Sequence, residues 1–435
     1  PDRRDALAET HFPPKDVDLD QLAAFRTPAQ ERLIYEEFFF LQLGLALRRR
    51  NARKLPGYGF EITDAVRESI KKILPFHPTE AQKRVLKEIA ADLQKPAPMN
   101  RLLQGDVGSG KTIVAFEAAV IAMENGAQVA LMAPTEILAT QHYLQALARF
   151  ARTPCRIGLL VSELPAREKK QTRADLASGD LDLVVGTHAL LEKDVAFHRL
   201  GLVIVDEQHR FGVLQRLELI RKGREGINPH VLVMTATPIP RTLALALYSD
   251  LEMSVLDELP PGRTPIETRW VRESASAGVW EFIRKQVAAG RQAYIVYPVI
   301  DESKQELKAA TKEYERLSRE VFQKLRVGLL HGRLQGEQKE AVMREFSAGK
   351  IQILVATSVV EVGVDVPNAT VMVIEHAERF GLSQLHQLRG RIGRGRHAST
   401  CVLMTPNEVG EEAQQRLQTL VATQDGFKIA ELDLK

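Results

Sequence analysis

Eight residues, Gly105-Asp-Val-Gly-Ser-Gly-Lys-Thr112, leave this chain little freedom in how it folds. Glycines at 105, 108 and 110 let the backbone curl until successive N–H groups point inward. Such a loop needs a strand to deliver it and a helix whose N-terminus adds a positive dipole end. The flanks comply: Arg101–Gln104 reads as a short strand, and Ile113–Met123 has helical character. Strand, glycine loop and helix in that order predict a polyphosphate cradle in an α/β domain. In it Gly105, Gly108, Ser109 and Gly110 wrap the phosphates. Lys111 reaches the β- and γ-phosphates of ATP, and the Thr112 hydroxyl holds Mg2+.

A second segment completes that chemistry. Leu202–Val205 is a continuous apolar run rich in β-branched residues, as a strand buried on both faces requires. It ends in Asp206-Glu-Gln-His209. Acids at the C-terminal end of a buried parallel strand sit where α/β sheets bind ligands. Asp206 is placed to hold Mg2+ and Glu207 to orient the attacking water.

At 435 residues the chain is too long for one ordinary core, so about two or three domains are expected. With 44% hydrophobic and 26% charged residues it reads as a soluble globular protein rather than a disordered or fibrous one. A net charge of +3 permits nucleic acid without requiring it. Cys155 and Cys401 are too few for a disulfide framework or a metal site, which suits a reducing cytoplasm. The first residues do not read as a signal peptide, and the longest apolar stretch, Phe38 to Leu47, is too short to span a bilayer. A cytoplasmic monomer with no membrane partner is expected.

Residues 1–69 read as a helical lead-in. Thr27-Pro-Ala-Gln30 is a helix start with a capping box, and the broad apolar stripe that follows predicts a helix buried against something larger. A basic cluster, Arg48, Arg49, Arg50, Arg53 and Lys54, comes next and suits either phosphate backbone or a solvated helix end. Residues 70–259 alternate strands with helices, with strand candidates at 101–104, 128–132, 183–185, 202–205 and 231–234. A Pro-Pro-Gly linker, 260–265, precedes a second alternation over 266–405, with candidates at 292–296, 326–330, 351–356, 370–374 and 400–404. Lys304–Lys324 reads as an exposed charged excursion.

Two α/β halves, the first alone with a phosphate loop, resemble the tandem RecA-like core of superfamily-two helicases and translocases. Further segments fall in that family's order. Ala133-Pro-Thr-Glu136 and Gly186-Thr-His-Ala-Leu190 look like its DNA-backbone segments, which implies contacts from Pro134, Thr135, Thr187 and His188. Thr235-Ala-Thr237 looks like the segment that couples nucleotide state to domain closure. Ala356–Asp365 resembles the fifth motif, which implies that Thr357 faces DNA while Gly363 and Asp365 face the nucleotide. Gln387–Arg394 resembles the sixth, which implies that Arg391 and Arg394 reach the γ-phosphate from the second domain. Leu74–Gln82 resembles the adenine-recognising segment, with Phe76 stacking on the base and Gln82 bonding its edge.

Asp206–Val213 and the lead-in narrow the likeness to the RecG family of branched-DNA translocases. That family carries a wedge domain before such a lead-in, and an Arg-Gly-rich loop after the segment that Gly426–Leu434 resembles. Neither is found in these residues, so the chain reads as a helicase core that hydrolyses ATP weakly and does not remodel forks alone. Two other readings stand beside it: a transcription–repair coupling translocase core, and a nucleotide-dependent DNA-binding module with no motor output.

Backbone contacts by small hydroxyl residues carry no base readout, so affinity for duplex or branched DNA should follow electrostatics. Log affinity should fall linearly with log salt, with a slope that counts several phosphates. A titration series at fixed salt that shows strong preference for one duplex sequence contradicts this.

Overall fold

The computed structural model describes residues 1–52, 55–74, 76–207, 213–223, 226–236, 251–260, 265–298, 311–357 and 366–433. Two all-parallel sheets organise them, as the tandem RecA-like arrangement requires. The first has seven strands in the order β3-β4-β2-β5-β6-β1-β7. These are β1 Asn100–Gly105, β2 Gln128–Met132, β3 Ile157–Leu160, β4 Leu183–Gly186, β5 Leu200–Val205, β6 His230–Thr235 and β7 Glu252–Leu256. The second has six strands in the order β10-β11-β9-β12-β13-β8. Its members are β8 Ile266–Arg272, β9 Gln292–Val296, β10 Val327–Leu330, β11 Ile353–Ala356, β12 Ala369–Ile374 and β13 Ser399–Thr405.

The central strands are buried along their whole length because helices cover both faces. Every strand inferred from an apolar run is present. Three strands are additional: β3, β7 and β8. Each lies at a sheet edge: β3 is the four-residue run Ile-Gly-Leu-Leu, while β7 and β8 interleave polar residues with apolar ones.

The order β5-β6-β1 sets the C-terminal ends of three neighbouring strands side by side, about 5 Å apart. The phosphate loop leaves β1, Ala236 follows β6, and Asp206-Glu207 follows β5. The helix Lys111–Glu124 is buried from Val114 through Met123, Glu117 included, so it fixes the loop from inside the core. On the outer side Arg101 is held by Asp92 at 2.6 Å, Glu252 at 2.9 Å and Glu88 at 3.3 Å, tying β1 to β7 and to the helix Glu80–Leu93.

The lead-in departs from expectation. Thr27 and Gln30 form the capping box of the helix Pro28–Ala52. Yet Phe38, Phe39, Phe40 and Leu41 on that helix are exposed. Among the described residues its partner is the short helix Arg3–His11, which covers one flank with Ala6 and Arg3. Within the charged excursion, residues 304–310 lie outside the described set, while Leu317 and Phe322 are buried, Phe322 edge-on to Trp280.

One buried histidine anchors the start of the first domain. His230 Nδ1 accepts from Met99 N at 2.9 Å, and Nε2 donates to Tyr58 O at 2.7 Å. Burial pushes its pKa down to about 4, so the folded chain holds it neutral. The unfolded chain binds this proton below about pH 6.5, so stability is lost as pH falls from there toward 4, by about 3 kcal/mol. In urea titrations from pH 7 to 4, His230→Gln should lose less stability than the wild type. Parallel pH profiles count against the assignment.

Candidate active site

The glycine loop takes the predicted form. Gly108 and Gly110 have φ of +79° and +92°, a region in which a side chain is strained. A Cβ at Gly110 also collides with Gln82 Nε2. Gly110 caps the helix Lys111–Glu124 without any side-chain bond, leaving the first N–H groups directed at the loop. The Lys111 ammonium donates to Gly105 O and Asp106 O, both at 2.8 Å, and so lies across the loop mouth. Burial lowers its pKa from the ordinary value, against the pull of Glu207, Asp206 and Asp106. The Ser109 hydroxyl is fully buried, with no hydrogen-bond partner among the described residues.

The acidic half meets this loop. Asp206 Oδ1 accepts from Glu207 N at 3.0 Å, and Oδ2 pairs with His142 Nε2 at 2.7 Å. Burial works against charge on Asp206, but His142 and Lys111 outweigh it and hold the carboxyl below its usual range. Glu207 adopts φ +52°, a left-handed conformation that costs a non-glycine residue about 1–3 kcal/mol. Its Oε2 faces Ala236 N at 3.5 Å, which links it to the end of β6.

A cavity of about 390 Å³ opens over these groups. The first domain contributes Phe76, Gly108, Gly110, Lys111, Thr112, Asp206 and Glu207, and the second contributes Gln387, Arg391 and Arg394. The domains meet closely here: a Cβ on Gly390 would lie 2.9 Å from Val107 Cβ. The Arg394 Nε donates to Gly390 O at 3.2 Å. The loop amides and the buried Lys111 suit the phosphates of a nucleotide, and Thr112 and Asp206 line the same cavity with oxygen donors.

Several predicted residues are placed differently. Gln82 is buried. Its Nε2 donates to Ser109 O at 3.0 Å and its Oε1 accepts from Thr79 N at 3.0 Å, so its amide braces the loop instead of facing an open base pocket. Capping-box geometry at Thr79 explains this. Thr187 and Thr357 are buried as well, each just beyond the end of a covered strand, and the Thr187 hydroxyl is closed off from the surface. Pro134 and Thr135 are half-buried, with Thr135 Oγ1 capping Leu138 N, and His188 is exposed. Gly363, Asp365, Thr237, Arg53 and Lys54 lie outside the described residues. Sequence reasoning missed His142: it sits mid-helix in Glu136–Phe150, where no motif marks it, and only the fold turns it onto Asp206.

If Lys111 meets bound phosphates and Glu207 acts on water, their loss separates binding from chemistry. Lys111→Ala should weaken nucleotide affinity and turnover together. Glu207→Gln should keep affinity and cut phosphate release about a hundredfold or more. Arg394→Ala should cost about a thousandfold in hydrolysis with little loss of affinity. Normal hydrolysis with weakened DNA binding in Arg394→Ala makes that residue a basic contact instead.

Residues 79–246 match the DEAD/DEAH box helicase family, and residues 279–396 match the helicase conserved C-terminal domain. The chain is 50% identical to the ATP-dependent DNA helicase RecG of Synechocystis over 436 aligned residues, covering 100% of this chain and 51% of that protein. It is 49% identical to the ATP-dependent DNA helicase RecG of Thermotoga maritima, over 99% of this chain and 54% of that one. The chain thus spans about half the length of these relatives. A solved structure of RecG bound to a three-way DNA junction superposes with a TM-score of 0.82 at 49% identity, covering 94% of this chain and 53% of that one.

Proposed function

The chain belongs to the RecG family, and from that membership we propose that it is the ATP-driven motor core of a helicase that remodels branched DNA. The observation that carries this reading is the shared cleft, in which the phosphate loop and acids of one domain face Arg391 and Arg394 of the other. The nucleotide with its Mg2+ supplies the phosphoanhydride bond whose hydrolysis drives the motion. Lys111 binds the β- and γ-phosphates, and Thr112 and Asp206 hold the metal. Glu207 orients a water and takes its proton as the water oxygen bonds the γ-phosphorus and the bridge to the β-phosphate breaks. Arg391 and Arg394 balance the charge that develops on the transferred group.

Phe76, 41% exposed at the cavity rim, is free to stack on an adenine. Gly363 and Asp365 complete the nucleotide side by family likeness. On the DNA side, Pro134, Thr135 and His188 are accessible to a phosphate backbone, and the more deeply set Thr187 and Thr357 are the further candidates at two strand ends. The proposed units are lead-in 1–69, first motor domain 70–259, linker 260–265, second motor domain 266–405, and 406–435 as the entry to a hairpin that grips duplex, although Tyr58, Phe60 and Val66 of the lead-in already pack in the first domain's core. No helix among the described residues is long and apolar enough to cross a membrane. The protein works in the cytoplasm as a monomer on duplex or branched DNA.

Phosphate release by the chain should rise with DNA, more with three-way junctions than with linear duplex, and Lys111→Ala should abolish it. Displacement of a triplex strand reports translocation. DNA stimulation without displacement favours a binding module lacking motor output. Stimulation by linear duplex equal to that by junctions favours the coupling-translocase reading.

A further inference from the structure

A buried hydrogen-bonded path crosses the cleft beside the arginines. His386 Nε2 lies 2.8 Å from Asp106 Oδ1, which also accepts from Val107 N at 2.6 Å inside the phosphate loop. His386 Nδ1 faces Arg389 Nη2 at 2.9 Å. Arginine only donates, so Nδ1 is the acceptor and the ring proton sits on Nε2, directed at Asp106. Arg389 in turn donates through Nη1 to Leu420 O at 2.7 Å and Thr423 O at 3.0 Å, at the end of the helix Glu411–Ala422. His386 and Arg389 are 5% and 2% exposed, so these bonds operate away from solvent. Asp106 follows the same logic: burial disfavours its charge, and His386, the Val107 N–H and Lys111 together hold the carboxyl below its usual range.

None of these groups has a catalytic assignment. His386 and Arg389 lie on the helix Leu382–Arg389, directly before Gly390, Arg391 and Arg394. A shift of about 1 Å in such a segment is enough to cost orders of magnitude in rate.

We propose that His386 is a positioning residue that sets the register of Arg391 and Arg394 against the phosphate loop through Asp106. Through Arg389 it ties that register to the helix Glu411–Ala422. The inference rests on the nucleotide-hydrolysis reading above and deepens it. It makes Asp106 a polar contact of the loop with the second domain, beside the approach of Val107 to Gly390 and distinct from the amides and Lys111 that hold phosphates.

The test compares His386→Ala, His386→Gln, Asp106→Ala and the double variant His386→Ala/Asp106→Ala. Hydrolysis is followed with DNA, and affinity with a fluorescent ATP analogue. His386→Ala should lower kcat about tenfold or more with less than about threefold change in affinity. Gln places an amide donor near the position of Nε2, so His386→Gln should recover most of the loss. The double variant should be no worse than the poorer single one, the mark of a shared contact. Additive losses, an equal fall in affinity, or Gln as poor as Ala overturns the proposal.

A second readout needs no hydrolysis. A Cβ at Gly336 would lie 3.0 Å from Glu163 Oε1 across the same interdomain boundary, and both positions are exposed. Gly336→Cys with Glu163→Cys, in a Cys155→Ser background, should crosslink with a short bis-maleimide. Adding His386→Ala should lower the crosslinked fraction severalfold. An unchanged fraction overturns the proposal. A parent chain without Lys111-dependent hydrolysis overturns the nucleotide reading, while this crosslink still decides whether His386 sets the register.

Discussion

The parallel pairing of β5, β6 and β1 is the constraint on which the site depends. Parallel strands present the same end to the same side of a sheet, and neighbours lie about 5 Å apart. Fixing that order fixes where the phosphate loop, Ala236 and Asp206-Glu207 meet, although the chain positions span from 105 to 236. The chemistry then concentrates unlike charges in a poorly hydrated space. Lys111 is drawn down by burial while Asp206 is held ionised by His142 and Lys111, so each charge depends on its neighbours. A change at one member therefore shifts the others, and single substitutions in this group will not act independently.

Much of this was legible in the sequence, for identifiable reasons. Strands buried on both faces must be apolar throughout, so β2, β5, β9 and β12 announced themselves. Glycine at 108 and 110 is demanded by positive φ, and that demand gives the loop a recognisable spelling. The edge strands β7 and β8, with polar residues interleaved, carry no such signature. Nor does His142, whose partner lies 64 residues away, or His386, whose partner lies 280 away. Gln82 shows a subtler limit. Its residue type suits an adenine edge as well as a loop brace, and the sequence does not record that its amide bonds Ser109 O and Thr79 N. The burial of Thr187 and Thr357 shows the same, since strand ends differ in depth in ways that periodicity does not record.

The lead-in carries a different message. The apolar stripe of Pro28–Ala52 reads as a buried face, yet Phe38 is 60% exposed and Phe40 56%. Apolar area of this kind is costly in water, by roughly 25 cal/mol per Å². Amphipathicity reports that a helix face wants cover and says nothing about which residues supply it. The caps, by contrast, are local, and Thr27 and Gln30 bond as their spacing predicts.

The approach of Gly390 to Val107 gives the cleft a tolerance narrower than one methyl group. Carbon atoms settle at about 3.5–4.0 Å, so the 2.9 Å that a Cβ would face leaves a deficit of roughly half an ångström or more. The absent side chain at 390 is therefore a gauge of how far the two halves may close. An alanine there would act as a spacer, holding open a cleft whose nucleotide-binding surface is otherwise intact. Position 390 thus separates the capacity to hold a nucleotide from the capacity to close upon it.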